Sequence, residues 1–199
     1  KLGGVFMNIR NFRQSEYNVN EIFLNRWSPR AMSGEEIDEK TLFQLFEAAR
    51  WAPSSNNNQP WRFIYARRNT SHWEAFFNLL EEGNKNWAHN AAALVVVISK
   101  TTFDNNKHAR THSYDAGAAW ENFALQGSLL NLVVHGMQGF SYGRAKEVLL
   151  IPEGYQVEAM IALGRPGKLE DLPDYQQKRE FPSGRKSIAE TVMEGAFRQ

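Results

Sequence analysis

The chain contains no cysteine. This absence excludes disulfide bonds, thiol catalysis, iron–sulfur clusters and thiolate metal sites together, although it does not fix the cellular compartment. Long apolar runs are also missing, because the longest, from Ala91 to Ile98, is far shorter than the roughly 20 residues that span a bilayer. The first ten residues, KLGGVFMNIR, lack the apolar core of a signal peptide. We therefore expect a cytoplasmic protein that does not bind a membrane.

An excess of charge of either sign is missing as well. The 23 Lys and Arg residues nearly balance the 22 Asp and Glu residues, and the basic residues form only short pairs such as Arg67-Arg68 and Arg185-Lys186. Proteins that bind nucleic acids usually carry a basic stripe, so we expect no nucleic-acid partner. With 42% hydrophobic and 13% aromatic residues, a chain of 199 residues can form a packed core and is not predicted to be disordered.

Signature motifs of several enzyme classes are absent. The chain has neither a P-loop G-x-x-x-x-G-K-[ST] nor the G-x-S-x-G of α/β-hydrolases. Gly136, Gly139 and Gly143 do not directly follow a predicted strand, as a Rossmann fingerprint requires. His108 and His112 have the i, i+4 spacing that can chelate a metal on a helix, but no carboxylate follows in a metalloprotease pattern. We interpret the pair as a solvated helix face and predict no metal site.

The chain shows no internal repeat and no linker between two cores, which predicts a single domain. We expect residues 1–18 to be an amino-terminal extension, in which residues 1–6 are either a cloning remnant or a processed end. Residues 19–199 form the domain, with a polar, proline-containing arm over residues 168–185. The tail from Ser187 to Phe197 is ambiguous.

Hydrophobic periodicity predicts a fold rich in helices. Leu42, Leu45, Phe46 and Ala49 recur at i, i+3, i+4 and i+7, so a helix begins near Asp38 and ends before Pro53. Four further helices are predicted. A short one runs from Asn18 or Asn20 to Leu24, and another from Ser71 to Leu80, with a Ser71–Glu74 capping box and a stop at Gly83. The others run from Tyr114 to His135, with Gly136 as the C-cap, and from Ala145 to Leu150. Strands are predicted at residues 62–66, 91–99 and 157–163.

These elements predict an α+β domain with a small central sheet covered by helices. The long helix from Tyr114 to His135 carries more apolar surface than one small sheet can cover. A homodimer would bury the remainder, and a fully internal core helix is an equally compatible alternative.

Three segments are candidate binding sites. In Arg26-Trp27-Ser28-Pro29-Arg30, two guanidiniums flank a turn that can bind a phosphate, the alternative being a surface loop with incidental arginines. The loop from Pro53 to Trp61 is almost entirely small amides and hydroxyls, which suits a planar hydrogen-bonding heterocycle better than an ordinary turn. Arg185-Lys186 follows the polar arm and is by itself a weak indication.

In chain order, these segments resemble the nitroreductase family of FMN-dependent oxidoreductases. The resemblance covers nearly the whole chain from Arg26 to Val192 and is carried by RWSPR, APSSNNNQPWRF, DAGAAWENFAL, GMQGF, EAMIALGRP and GRKSIAETV. It implies an α+β fold with a central mixed, mostly antiparallel sheet. It also implies an intertwined homodimer with two FMN molecules in clefts at the interface.

The resemblance also assigns cofactor contacts. Arg26 and Ser28, with Trp27 between them, would lie at the FMN phosphate, and Arg30 would reach the pyrimidine edge of the flavin near N1 and O2. Arg185 would be a second phosphate ligand, with Lys186 and Ser187 beside it. The remaining implied contacts are Pro53, Ser54, Ser55, Asn57 and Gln59 from the partner chain, and Met137, Gln138 and Gly139, whose backbone N–H groups would face N5 and O4.

Two positions depart from the family pattern. His135 stands in Val133-Val134-His135-Gly136, where many members carry G-L-G, so it lies either close to the flavin or at a helix end as a cap. Asn84 and Lys85 are near the position where the family often has a residue that contacts the ribityl or pyrimidine part. The sequence does not decide which of the two, if either, occupies that family position.

The resemblance implies that hydride passes from NADH or NADPH through flavin N5 to a nitroaromatic, quinone or similar small planar acceptor. No catalytic acid, base or nucleophile is expected, because the flavin carries the chemistry. One alternative is specialised chemistry such as reductive dehalogenation or flavin fragmentation, which the short polar segment from Thr101 to Ser113 disfavours because it leaves little room for a large lid. The second alternative is a flavin-binding module without turnover.

Overall fold

A four-stranded sheet lies at the centre of the fold. The computed structural model describes residues 9–198, so the first eight residues of the expected amino-terminal extension lie outside the described residues. The strands are β1 (Trp61–Arg67), β2 (Ala93–Lys100), β3 (Val133–Met137) and β4 (Tyr155–Gly164), in the spatial order β1-β2-β4-β3. Each neighbouring pair is antiparallel. The α+β class is confirmed, and within residues 9–198 the sheet contains no parallel pair.

Eight α-helices and three single 3₁₀ turns surround the sheet within the described residues. The helices are α1 (Ile22–Asn25), α2 (Glu39–Arg50), α3 (Trp73–Phe77), α4 (Glu82–Ala88), α5 (His112–Leu129), α6 (Tyr142–Val148), α7 (Asp174–Gln177) and α8 (Ile188–Thr191). The 3₁₀ turns are Ile9–Asn11, Ser55–Asn57 and Leu169–Asp171. None of the helices within residues 9–198 has the length and apolar content that crossing a membrane requires.

The sheet separates two apolar clusters. On one face, Val95, Val97 and Ile161 pack with Leu45 of α2 and Phe123 of α5. On the other face, the cluster includes the residues Leu94, Val96, Met160, Trp87 and Leu79. Every residue of β2 except Lys100 is buried, as the continuous apolar run predicted.

The predicted helix from Asp38 is confirmed as α2. The Asp38 carboxylate accepts the N–H of Thr41 at 2.8 Å, which caps the first turn. The helix ends at Arg50, before Pro53. Near α1, the Asn20 side chain accepts the N–H of Ile22 at 3.0 Å.

The predicted helix from Tyr114 to His135 is wrong in its last third. Helix α5 ends at Leu129, and Asn131 turns the chain with a left-handed φ of 55°. The N–H of Leu132 then donates to the carbonyl of Gly127 at 2.9 Å, and the next residues form β3. Gly136 therefore lies within a strand and is not a C-cap. A buried strand directly after an apolar helix carries no change of hydrophobicity that would mark the boundary.

The helix predicted over residues 71–80 forms but is shorter than predicted. Helix α3 covers only Trp73–Phe77, and no side chain caps its beginning, so the Ser71–Glu74 capping box does not form. Gly83 lies inside α4 and does not end a helix. The predicted range therefore contains only α3, and the next helix begins two residues beyond its end, where a stop was expected.

Candidate functional site

The Arg26–Arg30 turn begins where α1 ends. The Arg26 Nε lies 3.3 Å from a carboxylate oxygen of Glu121 on α5. The Nη1 of Arg26 donates to the hydroxyl of Ser28 at 3.5 Å. Arg26 and Ser28, both predicted at the phosphate, are therefore neighbours on one side of the turn, and Trp27 between them is half-buried.

Arg13 joins this side of the turn, and no sequence motif indicated it. Its side chain donates to the carbonyl oxygens of Ser183 at 2.8 Å, Leu24 at 2.8 Å and Arg26 at 2.7 Å. Burial lowers the pKa of Arg13, and the nearby charges of Arg185 and Arg26 lower it further. The structure thus gathers three arginines, Arg13, Arg26 and Arg185, which we call the arginine cluster.

The carboxyl-terminal arm supplies Arg185. Its Nη1 donates to the carbonyl of Gly184 at 2.9 Å, and the residue is exposed. The neighbouring Lys186 is also exposed, and Ser187 begins α8, where its hydroxyl and N–H both donate to Glu190 at 2.9 Å. The structure therefore brings Arg185 and Arg26 to the same side chain, Arg13, and occupies Ser187 with helix capping.

Arg30 lies at the other end of the turn and has a partner that the sequence did not reveal. Its Nη1 is 3.3 Å from a carboxylate oxygen of Glu180, which is 4% exposed. The other oxygen of Glu180 accepts the backbone N–H of Arg30 and the N–H of Ala31, the latter at 3.0 Å. A buried carboxylate from the arm therefore fixes both the backbone and the side chain of Arg30. No sequence signal indicates this pair, because Glu180 lies 150 residues from Arg30.

His135 contacts the same turn from β3. Its Nδ1–H donates to the carbonyl of Pro29 at 2.9 Å, and its ring centroid lies 4.6 Å from that of Trp87. Burial lowers the pKa of His135, and the charge of Arg30 lowers it further, while the Pro29 contact and the Glu180 charge oppose that shift. His135 stands in a strand, so its interpretation as a helix cap is wrong.

The Pro53–Gln59 loop has a different construction. Asn56, Asn57 and Gln59 all adopt left-handed backbone conformations, with φ of 50°, 54° and 48°. The N–H of Gln59 donates to the hydroxyl of Ser54 at 3.0 Å, which closes the loop on itself. Short amide side chains tolerate such conformations better than most residues, which explains the run of asparagines.

One buried carboxylate anchors the loop. Asp115 of α5 is 4% exposed, and its Oδ2 accepts the N–H of Ser55 at 3.1 Å and the hydroxyl of Thr111 at 3.3 Å. Asp115 belongs to one of the motifs that carry the family resemblance, but its partner could not be identified from the sequence. The structure shows that Asp115 connects the loop to the start of α5.

The segment after β3 is held by α4. The carbonyl of Gly139 accepts the side-chain N–H of Asn84 at 2.9 Å and the backbone N–H of Glu81 at 3.0 Å. A Cβ at Gly139 would lie 2.8 Å from the Asn84 amide nitrogen, so glycine permits this approach. The Met137 side chain is buried in the core, whereas Gln138 is exposed. Asn84, which the sequence left unaligned, therefore positions the Gln138-Gly139 backbone.

The two predicted halves of the site are anchored separately within one chain. In residues 9–198, no hydrogen bond or ion pair joins the Pro53–Gln59 loop to the Arg26–Arg30 turn. Both contact α5, but Asp115 and Glu121 are six residues apart on it. That spacing is a rotation of about 600°, which places the two contacts about 120° apart around the helix. The loop and the turn thus lie against different sides of α5.

His112 departs from the solvated face predicted for the histidine pair. His108 is exposed, but His112 is buried, with its Nδ1 2.7 Å from the hydroxyl of Ser99. The Ser99 hydroxyl also donates to Glu158, the extra residue of a bulge in β4. Among the described residues, no group of His, Asp and Glu side chains is arranged to hold a metal ion.

Comparisons with known proteins identify the family. A sequence model of the nitroreductase family matches residues 24–80, which include the turn and the loop. A solved structure described as an oxidoreductase containing FMN is 45% identical, with a TM-score of 0.90, and the alignment covers 94% of this chain and 96% of that one. The chain belongs to the nitroreductase family.

More distant relatives agree with this membership. An NADH dehydrogenase from Thermus thermophilus is 27% identical over an alignment that covers 77% of this chain and 88% of that protein. A nitroreductase family protein from Clostridium difficile 630 is 18% identical with a TM-score of 0.70, and the alignment covers 91% of this chain and all of that one. At that identity the likeness concerns the fold, which the two nitroreductases share. This nitroreductase is an oxidoreductase.

Proposed function

We propose that the chain is an FMN-dependent oxidoreductase that moves electrons from NADH or NADPH to a small planar acceptor such as a quinone or a nitroaromatic. The arginine cluster is the observation that carries this proposal. The relative that is 45% identical is described as containing FMN, and the relative from Thermus thermophilus is described as an NADH dehydrogenase. Both descriptions support the assignment.

The residues fit FMN at its phosphate end. A phosphate monoester needs several charged donors, and guanidiniums match its geometry. Arg26 and Arg185 both lie near Arg13, and Arg26 donates to the Ser28 hydroxyl. Glu121, a half-exposed carboxylate, is the one acid that forms an ion pair with any of the three arginines within residues 9–198. This excess of positive charge suits an anion.

The residues also fit the ring of FMN. Arg30, held by Glu180, would bind the pyrimidine edge, and the Gln138-Gly139 backbone, held by Asn84, would present its N–H groups to the opposite edge. The ring would also be lined by loop residues of a second copy of the chain, namely Pro53, Ser54, Ser55, Asn57 and Gln59. The three residues of this loop with left-handed backbone, Asn56, Asn57 and Gln59, have exposed amide side chains.

Each part of the chain then has a defined role. When bound, FMN would supply the redox chemistry between the nicotinamide and the acceptor. Arg26, Ser28 and Arg185 would bind its phosphate, with Lys186 following Arg185 in the chain. The cation of Arg30 would stabilise negative charge on the pyrimidine edge, although Glu180 offsets part of the charge of Arg30. No side chain is required to act as an acid or a nucleophile.

A homodimer would complete the site. The turn and the loop contact different sides of α5, so a second copy is needed to bring one chain's loop to the other chain's turn. Tyr114 and Leu129 of α5 are 81% and 63% exposed, and large apolar side chains of this kind are typical of an interface. These observations support an obligate homodimer, with the Pro53–Gln59 loop crossing to the partner.

The purified protein tests this function directly. We expect flavin absorbance bands and a mass by light scattering of about twice that of one chain. Anaerobic addition of NADH or NADPH should bleach the flavin, and a quinone should restore it. A protein that shows no flavin bands even after FMN is added would overturn the proposal. Bound flavin that neither nucleotide reduces would instead indicate a binding module without turnover.

A further inference from the structure

Arg13 connects three segments that are distant in the sequence. Its Nε donates to the Ser183 carbonyl, 170 residues away, and its Nη1 donates to the carbonyls of Leu24 and Arg26. The first contact holds the arm two residues before Arg185. The other two hold the end of α1 up to Arg26 itself. One side chain thus bridges the backbone of both arginines predicted to bind phosphate.

The chemistry of these contacts requires arginine. A guanidinium presents several N–H donors in a fixed planar fork, whereas a lysine has one flexible ammonium group. Arg13 uses two edges of that fork, Nε towards the arm and Nη1 towards the turn. A lysine would keep the charge but could not span both segments with the same geometry.

The charge of Arg13 is left without a carboxylate. The side chain is 8% exposed, and no acidic group within residues 9–198 lies at ion-pair distance from it or from Arg185. Its partners are neutral carbonyls, and its charged neighbours, Arg26 and Arg185, carry the same sign. Arg13 is thus buried beside two like charges, which is unfavourable unless an anion joins the three. The cluster is therefore arranged for an anionic group.

We propose that Arg13 is a positioning residue for this anion site: it sets the spacing of Arg26 and Arg185 and so gives the protein its preference for a phosphorylated flavin. The inference rests on the proposed function, because it takes the anion to be the phosphate of FMN. Arg13 acts through the backbone of the two phosphate-binding arginines. The isoalloxazine ring would be contacted by Arg30, which Glu180 positions, and by segments that Arg13 does not contact.

Riboflavin, which has the same ring but no phosphate, separates this role from a general structural one. The full-length protein is loaded with FMN or with riboflavin, and the fluorescence of flavin released on dilution gives each Kd. In Arg13→Gln we expect FMN to bind about 10-fold more weakly or worse, since charge-assisted hydrogen bonds are misaligned, with riboflavin binding unchanged. Arg13→Lys should show the same selective loss. Arg144→Gln, at an exposed arginine on α6, is the matched control.

The outcomes are distinct. An equal loss of FMN and riboflavin binding would show that Arg13 has only a general structural role. Recovery of FMN binding in Arg13→Lys would show that only the positive charge at this position matters. Either result overturns the proposal. If circular dichroism shows that Arg13→Gln is unfolded, the FMN and riboflavin affinities are compared in Arg13→Lys instead. Should the wild type bind neither flavin, the proposed function fails. In that case the anion site is tested with inorganic phosphate, by measuring how much phosphate raises the unfolding temperature. The positioning role requires this increase to be smaller in Arg13→Lys than in the wild type.

Discussion

The Arg26–Arg30 turn and the Pro53–Gln59 loop are both predicted to bind one cofactor, but the fold holds them in opposite ways. The turn depends on residues far along the chain, because Glu180 lies 150 residues from Arg30 and the Arg13–Ser183 contact spans 170. The loop is closed by a bond between residues five apart, and Asp115 is its remote anchor. The turn is thus a product of the whole fold, whereas the loop is largely local. Mutations of the remote partners should therefore disturb the turn more than the loop.

Removing Glu180 should have the largest effect. In Glu180→Ala, the N–H groups of Arg30 and Ala31 lose their acceptor and Arg30 loses its counter-charge. Breaking a buried ion pair from one side costs about 3 kcal/mol, and we expect that decrease in the free energy of unfolding in urea. Glu170→Ala, at an exposed acid of the same arm, should change stability by less than about 0.5 kcal/mol. Equal effects in the two variants would mean that Glu180 does not hold the turn.

Arg26→Ala should mainly affect cofactor binding. The lost charge-assisted contacts correspond to roughly 10- to 150-fold weaker binding of FMN, so the variant should purify largely without flavin while remaining folded. Flavin absorbance relative to protein absorbance measures this. Retention of FMN with unchanged affinity would show that Arg26 does not bind the phosphate.

Asp115→Ala gives the corresponding test of the loop. The N–H of Ser55 and the hydroxyl of Thr111 lose their acceptor, but the Ser54–Gln59 closure remains. We expect the free energy of unfolding to fall by about 1–2 kcal/mol. Asp115→Asn, which keeps an acceptor oxygen, should recover part of that loss. A decrease larger than that of Glu180→Ala would reverse the comparison between loop and turn.

The same contrast explains which parts of the structure were predictable. Helix α2 follows from hydrophobic periodicity, and strand β2 from a continuous apolar run. The loop follows from residues that tolerate left-handed backbone. All of these are local properties of the sequence. The boundary between α5 and β3 was not predicted, because apolar residues continue on both sides of the single polar residue, Asn131, at which the chain turns.

The site divides in the same way. The resemblance identified the motif residues, such as Arg26 and Arg30, but not the partners that hold them. Arg13, Glu180 and Asn84 act through carbonyls, N–H groups or charges of residues more than 10 positions away. No spacing rule relates such pairs, since they depend on where the arm and the first residues cross the turn. These positioning contacts therefore required the structure.

The smallest predicted effect concerns pH and applies only to the turn. Burial lowers the pKa of His135 from its ordinary value of 6.5, so below that pH the unfolded chain binds a proton more readily than the folded one. Stability contributed by neutral His135 is therefore complete above about pH 6.5 and is lost as the pH falls, by at most about 1.4 kcal/mol per pH unit. His135→Gln, whose amide can still donate to the Pro29 carbonyl, should flatten the decline in unfolding free energy between about pH 7 and pH 5.5. His72→Gln, at an exposed histidine, should keep the wild-type slope. If both variants follow the wild-type curve, His135 does not couple the turn to pH, and the ion pair of Arg30 with Glu180 alone secures that end of the site.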